Sequence, residues 1–101
     1  MSDVKQKITT LLDSNKVVLF MKGTQQFPQC GFSARACAIL QDLGQKFQDV
    51  NVLEDEEIRN GIKEYGNWPT IPQLYINKQL VGGSDIMMEM YQSGELQELL
   101  K

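Results

Sequence analysis

Apolar residues along this chain follow two rhythms, an unbroken apolar run and a helical spacing, and the switches between them mark out its elements. Val4, Ile8, Leu11 and Leu12 stand at i, i+4, i+7 and i+8, the pattern of an amphipathic helix that Ser14-Asn15 ends. Val17-Val18-Leu19-Phe20-Met21 is apolar throughout, β-branched and aromatic, and reads as a strand buried on both faces. From Phe32 the helical spacing returns. Phe32, Ala36, Leu40 and Leu43 form one stripe of a helix from about 31 to 43, ending near Gly44. Lys46 to Val52, carrying Phe47, Val50 and Val52, reads as a second strand. Parallel pairing of the two strands across that helix makes a right-handed βαβ unit.

The second half changes character. Asp55-Glu56-Glu57 opens a helix with acidic residues where the dipole prefers them. Ile58, Ile62 and Tyr65 form its inner face, and Gly66 is a C-cap. Trp68-Pro69-Thr70-Ile71-Pro72 is extended, because two prolines forbid helix nearby. Gln73 to Ile76 and Gln79 to Val81 predict a hairpin turning at Asn77-Lys78. Gly82-Gly83 breaks the strand, and Ser84-Asp85 caps a helix through about Gln92. After Gly94, Glu95 to Leu100 adds a last turn or two, with Leu96, Leu99 and Leu100 inward. The order α-β-α-β-α-β-β-α predicts an α/β fold of one domain, residues 1–101. Its four-stranded mixed sheet joins a parallel pair to an antiparallel hairpin, flanked by helices.

Composition narrows the chemistry. At 101 residues and 42% hydrophobic the chain supports one ordinary core. Its longest apolar run, Val17 to Met21, is far short of the roughly 20 residues that span a bilayer. With no signal-like N-terminus and two cysteines, a soluble protein of a reducing compartment, the cytoplasm, is expected. Net charge is −3 and the basic residues are scattered, so nucleic acid is not an expected partner. Histidine is absent, which excludes Cys–His nucleophile pairs and His-ligated zinc.

Cys30, in Pro28-Gln29-Cys30-Gly31-Phe32-Ser33, falls where a loop hands over to a helix N-terminus. Unpaired N–H groups and the positive end of the helix dipole there favour a thiolate. Such cysteines are reactive. The alternative is a small buried hydrophobe, against which stand the neighbouring glutamine and glycine. Cys37 follows seven positions later, about 10 Å along a helix, beyond the roughly 7 Å that a disulfide spans. Among alanines and Ile39, it reads as a packing residue. Ser33 holds the place of a resolving thiol, so the site has one thiol.

Further candidates surround this thiol in function. Lys22, just before Gly23 at the end of the buried strand, is the cation singled out for Cys30, either supporting its thiolate or binding a carboxylate. Arg59 and Lys63, four apart on one helix, either hold an anionic ligand together or pair locally with Asp55 and Glu56. Thr70-Ile71-Pro72 offers either a cis proline with the Ile71 backbone free to pair with an extended peptide, or an ordinary rigid turn. Gly82-Gly83-Ser84-Asp85 is either a carboxylate site at a helix N-terminus or a plain cap. Taken together they suit a small thiol peptide with two carboxylates.

With these residues assembled, the chain resembles the monothiol glutaredoxins of the Cys-Gly-Phe-Ser class over essentially its whole length. Lys22-Gly23-Thr24, Pro28-x-Cys30-Gly31-Phe32-Ser33, Asn67-Trp68-Pro69-Thr70-Ile71-Pro72-Gln73 and Gly82-Gly83-Ser84-Asp85 carry the resemblance. It implies a thioredoxin (glutaredoxin) fold, a cis Pro72, and glutathione bound by Lys22, Arg59, the Ile71 backbone, Ser84 and Asp85. A [2Fe-2S] cluster bridging two subunits in a homodimer is implied too, with BolA-like proteins and iron-sulfur acceptors as partners. Many relatives have cysteine where Ser84 stands, so a redox switch using that second thiol is not expected. The ligand count agrees: a cluster wants four thiolates, two chains supply two, and two glutathiones supply the rest. Three functions follow as expectations: a cluster carrier in iron homeostasis, a glutathione-dependent reductase with Cys30 as nucleophile, or a docking adaptor.

Overall fold

The computed structural model describes residues 3–101. Helix α1 (Asp3–Ser14) leads into β1 (Val17–Met21), α2 (Gly31–Asp42) and β2 (Gln48–Asn51). Then come α3 (Glu56–Tyr65), β3 (Gln73–Ile76), β4 (Gln79–Gly82), α4 (Ser84–Ser93) and α5 (Glu95–Leu99). The sheet runs β2-β1-β3-β4, with β1 parallel to β2, and β3 antiparallel to both β1 and β4. This is the mixed sheet that the sequence predicts.

Strand β1 is central because it has something to bury on each face. Val17, Leu19 and Met21 pack with Ala36, Cys37 and Leu40 of α2 and with Met87 and Leu96. Val18 and Phe20, pointing the other way, pack with Ile8 and Leu12 of α1, Ile58 and Ile62 of α3, and Tyr75. The Phe20 and Tyr75 rings meet edge to face at 5.6 Å between centroids, a favoured aromatic geometry. The hairpin turns through Asn77 and Lys78, both at positive φ (51° and 70°), as a two-residue turn matched to strand twist requires.

Several predicted details shift. β2 is shorter than Lys46 to Val52, because Phe47 packs against the core before the strand and Val52 turns inward after it. The Val52 N–H donates to the Met21 carbonyl at 2.9 Å, so the chain crosses the end of β1. Phe32 is not a core residue: it is 60% exposed, and the buried residues of α2 are Ser33, Ala36, Cys37, Ile39 and Leu40. Ala36 and Leu40 are buried as predicted and Leu43 packs against the core; only the first turn differs, where the Ser33 hydroxyl is drawn in to accept the Lys22 N–H at 3.0 Å. Leu99 and Tyr65 are exposed rather than inward, although Tyr65 still lies 6.2 Å from the Tyr75 ring. Among the described residues no helix is long and apolar enough to cross a membrane.

Candidate functional site

Every apolar side chain of β1 is buried, so the first residue able to leave the core is Lys22. The chain turns there through Gly23 at φ +91°. A Cβ at Gly23 would stand 2.5 Å from the Phe27 carbonyl oxygen and 2.7 Å from the Gln29 nitrogen, so only glycine fits. The loop is closed by Gln29 N–H donating to Lys22 O at 2.9 Å, and tied to β2 by Gly23 N–H on Asn51 Oδ1 and Gln25 N–H on Asp49 Oδ2. It delivers Cys30, in extended conformation, as the N-cap of α2.

Cys30 is part-exposed, and its Sγ lies 3.7 Å from Ser33 Oγ. Partial burial pushes the thiol up. The Ser33 N–H and hydroxyl, the Phe32 N–H and the Lys22 charge outweigh it and hold the thiol below its ordinary range. Cys37 is the opposite case. It is 2% exposed, its sulfur 3.4 Å from Met21 Sδ, and burial with Asp49 nearby pushes its thiol up to about 11.

Beside this thiolate-favouring end of α2 opens a cleft of about 450 Å³ lined by Lys22, Phe32, Lys63, Thr70, Ile71, Pro72, Ser84 and Asp85. One wall is the 68–72 segment, with a cis Ile71-Pro72 bond just before β3 begins. Fully buried Gln73 secures that wall: its Nε2 donates to the carbonyls of Trp68 (3.0 Å) and Thr70 (3.3 Å), while its Oε1 accepts from Tyr75 Oη. The opposite wall is the start of α4. Gly83 brings it close, since a Cβ there would stand 3.2 Å from the Pro72 carbonyl. A larger groove of about 990 Å³ between α1 and α3 is lined by Lys5, Glu57 and Glu64 and has no thiol.

The sequence profile of the glutaredoxin family matches residues 17–81. An uncharacterized monothiol glutaredoxin ycf64-like of Synechocystis is 59% identical over 99 residues, covering 98% of this chain and 92% of the relative. The chain belongs to the monothiol glutaredoxins. Among solved structures, reduced apo GrxS14 of poplar matches at 55% identity with a TM-score of 0.84, covering 94% of this chain and 87% of that one. A buckwheat glutaredoxin-glutathione complex matches at 26% identity with a TM-score of 0.86, covering 96% and 86%.

Five of the residues singled out in this glutaredoxin's sequence line one cleft: Lys22, Lys63, Ile71, Ser84 and Asp85. Cys30 is not itself among the lining residues; it stands two positions before Phe32 and feels the charge of Lys22, both of which line the cleft. Arg59 does not line it. It sits one turn before Lys63 on α3, about 6 Å farther along the axis. Of the expected local partners of Arg59, Asp55 is engaged otherwise: it caps α3 by accepting from Ile58 N–H at 3.1 Å and pairs with Lys7 at 3.3 Å. Sequence reasoning missed Arg35. From α2 it reaches the start of α4, where Nε donates to Ser84 Oγ at 2.7 Å and Nη2 pairs with Asp85 Oδ1.

Proposed function

We propose that this monothiol glutaredoxin binds glutathione in the cleft and, as a homodimer, carries a [2Fe-2S] cluster to acceptor proteins. The observation that carries the proposal is a single accessible, thiolate-favoured sulfur, Cys30, under the charge of Lys22, which lines a cleft whose charges suit a dicarboxylate peptide. Lys22 and Lys63 would take one carboxylate. The Ile71 main chain would pair with the peptide backbone, and the α4 N-terminus at Ser84-Asp85 would take the other carboxylate. That pose puts the peptide sulfur beside Cys30.

The donor set fits a shared cluster. Among the described residues no three His, Cys, Asp or Glu side chains gather as a metal site, and Cys37 is buried as a neutral thiol. One chain thus offers one thiolate, and two chains with two bound glutathiones make four. Exposed Phe27 and Phe32 flank the thiol and give a second copy, a BolA-like protein or a cluster acceptor an apolar rim to meet. Such a thiolate and a glutathione pool belong together in a reducing compartment, the cytoplasm in this proposal.

The depressed Cys30 thiol favours a second reading, reduction of glutathione mixed disulfides. Cys30 thiolate would attack the glutathionyl sulfur, releasing the protein thiolate and forming a Cys30–glutathione disulfide. A second glutathione thiolate would then attack that disulfide, leaving as oxidised glutathione and restoring Cys30. With Ser33 in the resolving position, no internal thiol competes.

Anaerobic purification with glutathione, read by visible absorbance, iron content and mass in solution, separates the two. A brown dimer with about one cluster, bleached when glutathione is removed and absent in Cys30→Ser, supports the carrier. A colourless monomer that turns over a glutathione mixed disulfide briskly supports the reductase. Retention of the cluster by Cys30→Ser overturns the ligand assignment.

A further inference from the structure

The start of α4, like those of α2 and α5, has no side-chain cap. Helix α3 is capped by Asp55, whose carboxylate accepts from the Ile58 N–H. The N-cap of α4 is Gly83, which has no side chain; Ser84 and Asp85 follow it in the first turn, one and two positions past the place where such side chains cap a helix. Neither does so here: no described side chain accepts from the first amides of α4. Both are instead held from the side by Arg35, with Nε on Ser84 Oγ and Nη2 on Asp85 Oδ1. Arg35 is not among the residues lining the cleft, whereas Ser84 and Asp85 line it.

We propose that Arg35 is a positioning residue that keeps the α4 N-terminus open for the γ-glutamyl end of the bound peptide. The inference rests on the glutathione reading above and adds a residue to it. Arg35 does two things at once. It draws the Asp85 carboxylate away from the helix amides, which then point unpaired into the cleft with the positive end of the helix dipole. It also offsets the Asp85 charge, which would otherwise repel a peptide carrying two carboxylates and one ammonium. Without Arg35, Asp85 is free to fold back and cap its own helix.

The effect is confined to one end of the ligand, and this makes it testable. S-methylglutathione carries the γ-glutamyl group, cannot form a disulfide and has no thiolate to give iron; S-methylcysteinylglycine is the same ligand without that group. Calorimetric titration of both into wild type, Arg35→Gln and Arg35→Lys is the experiment. Arg35→Gln should weaken S-methylglutathione roughly two- to fivefold, the range expected for a largely exposed charge pair. It should leave S-methylcysteinylglycine unchanged, and Arg35→Lys should recover part of the loss. In a Ser84→Ala, Asp85→Asn background, Arg35→Gln should have no further effect, which a purely structural role would not explain. Equal weakening of both ligands, or unchanged S-methylglutathione binding by a folded Arg35→Gln protein, overturns the role of Arg35 alone. If wild type binds neither ligand, the glutathione reading fails and this inference with it.

Discussion

Cys30 Sγ and Ser33 Oγ lie 3.7 Å apart, the hydroxyl occupying the position of the second sulfur in a dithiol site. Ser33 is fully buried, accepts the Lys22 N–H, and keeps its own O–H to donate to a thiolate. Ser33→Ala should therefore raise the Cys30 pKa toward the ordinary thiol value, read by ultraviolet thiolate absorbance against Cys30→Ser. The sign follows from the lowered value in the wild type: alkylation of Cys30 stays fast below the ordinary thiol pKa and slows only as pH falls through the depressed one. An unmoved titration in Ser33→Ala would take the hydroxyl out of the account.

Native protein at neutral pH should take up one alkyl group, on Cys30, and a second only in denaturant. Cys37 is shut away by packing, and its thiol, pushed up to about 11, stays protonated. Mass spectrometry after iodoacetamide gives the count. Cys37→Ser should destabilise by about 1–3 kcal/mol, since it buries a hydroxyl where Met21 Sδ is the neighbour.

Removing the α3 cap should weaken the fold in a pH-dependent way. The Ile58 N–H bond, with Lys7 adding to it against slight burial, lowers the Asp55 pKa. Its contribution is therefore present above the unfolded Asp value of about 3.9 and lost as pH falls through the folded value. Asp55→Ala should cost about 1 kcal/mol at neutral pH, with the wild-type advantage gone in strong acid. Urea melts at several pH values measure this, and a constant gap would mean that the carboxylate's charge is irrelevant.

Gly23→Ala should cost roughly 2 kcal/mol or more, because it combines a left-handed φ with a Cβ pressed on the backbone of Phe27 and Gln29. Since that turn delivers Cys30, its reactivity should change along with stability. A melt matching wild type would show that the loop gives way cheaply.

Much of this was legible in the sequence, and the reasons differ by residue. The run Val17 to Met21 announced a doubly buried strand, and alternate residues do feed two separate cores. Cys30 at a helix start was legible because loop and helix signals meet there. Phe32 was misplaced because the stripe that holds at Ala36 and Leu40 gives way in the first turn, where Ser33 is drawn inward to accept from the Lys22 amide. Arg35 gave no local signal, its partners being 49 and 50 residues away. One clue was available: it is the only cation between Lys22 and Lys46, on a helix whose first turn has no acid to answer it.

Strand β1 sits between two paired neighbours and two cores, and Cys37 leans on its last residue, Met21. Local openings exempt such a strand, and its amides exchange only when the whole domain comes apart. The two sulfurs of this chain thus keep different clocks. Cys30 answers to the solvent and its ligands from moment to moment, while Cys37, buried between α2 and β1, waits for that helix to lift from the strand.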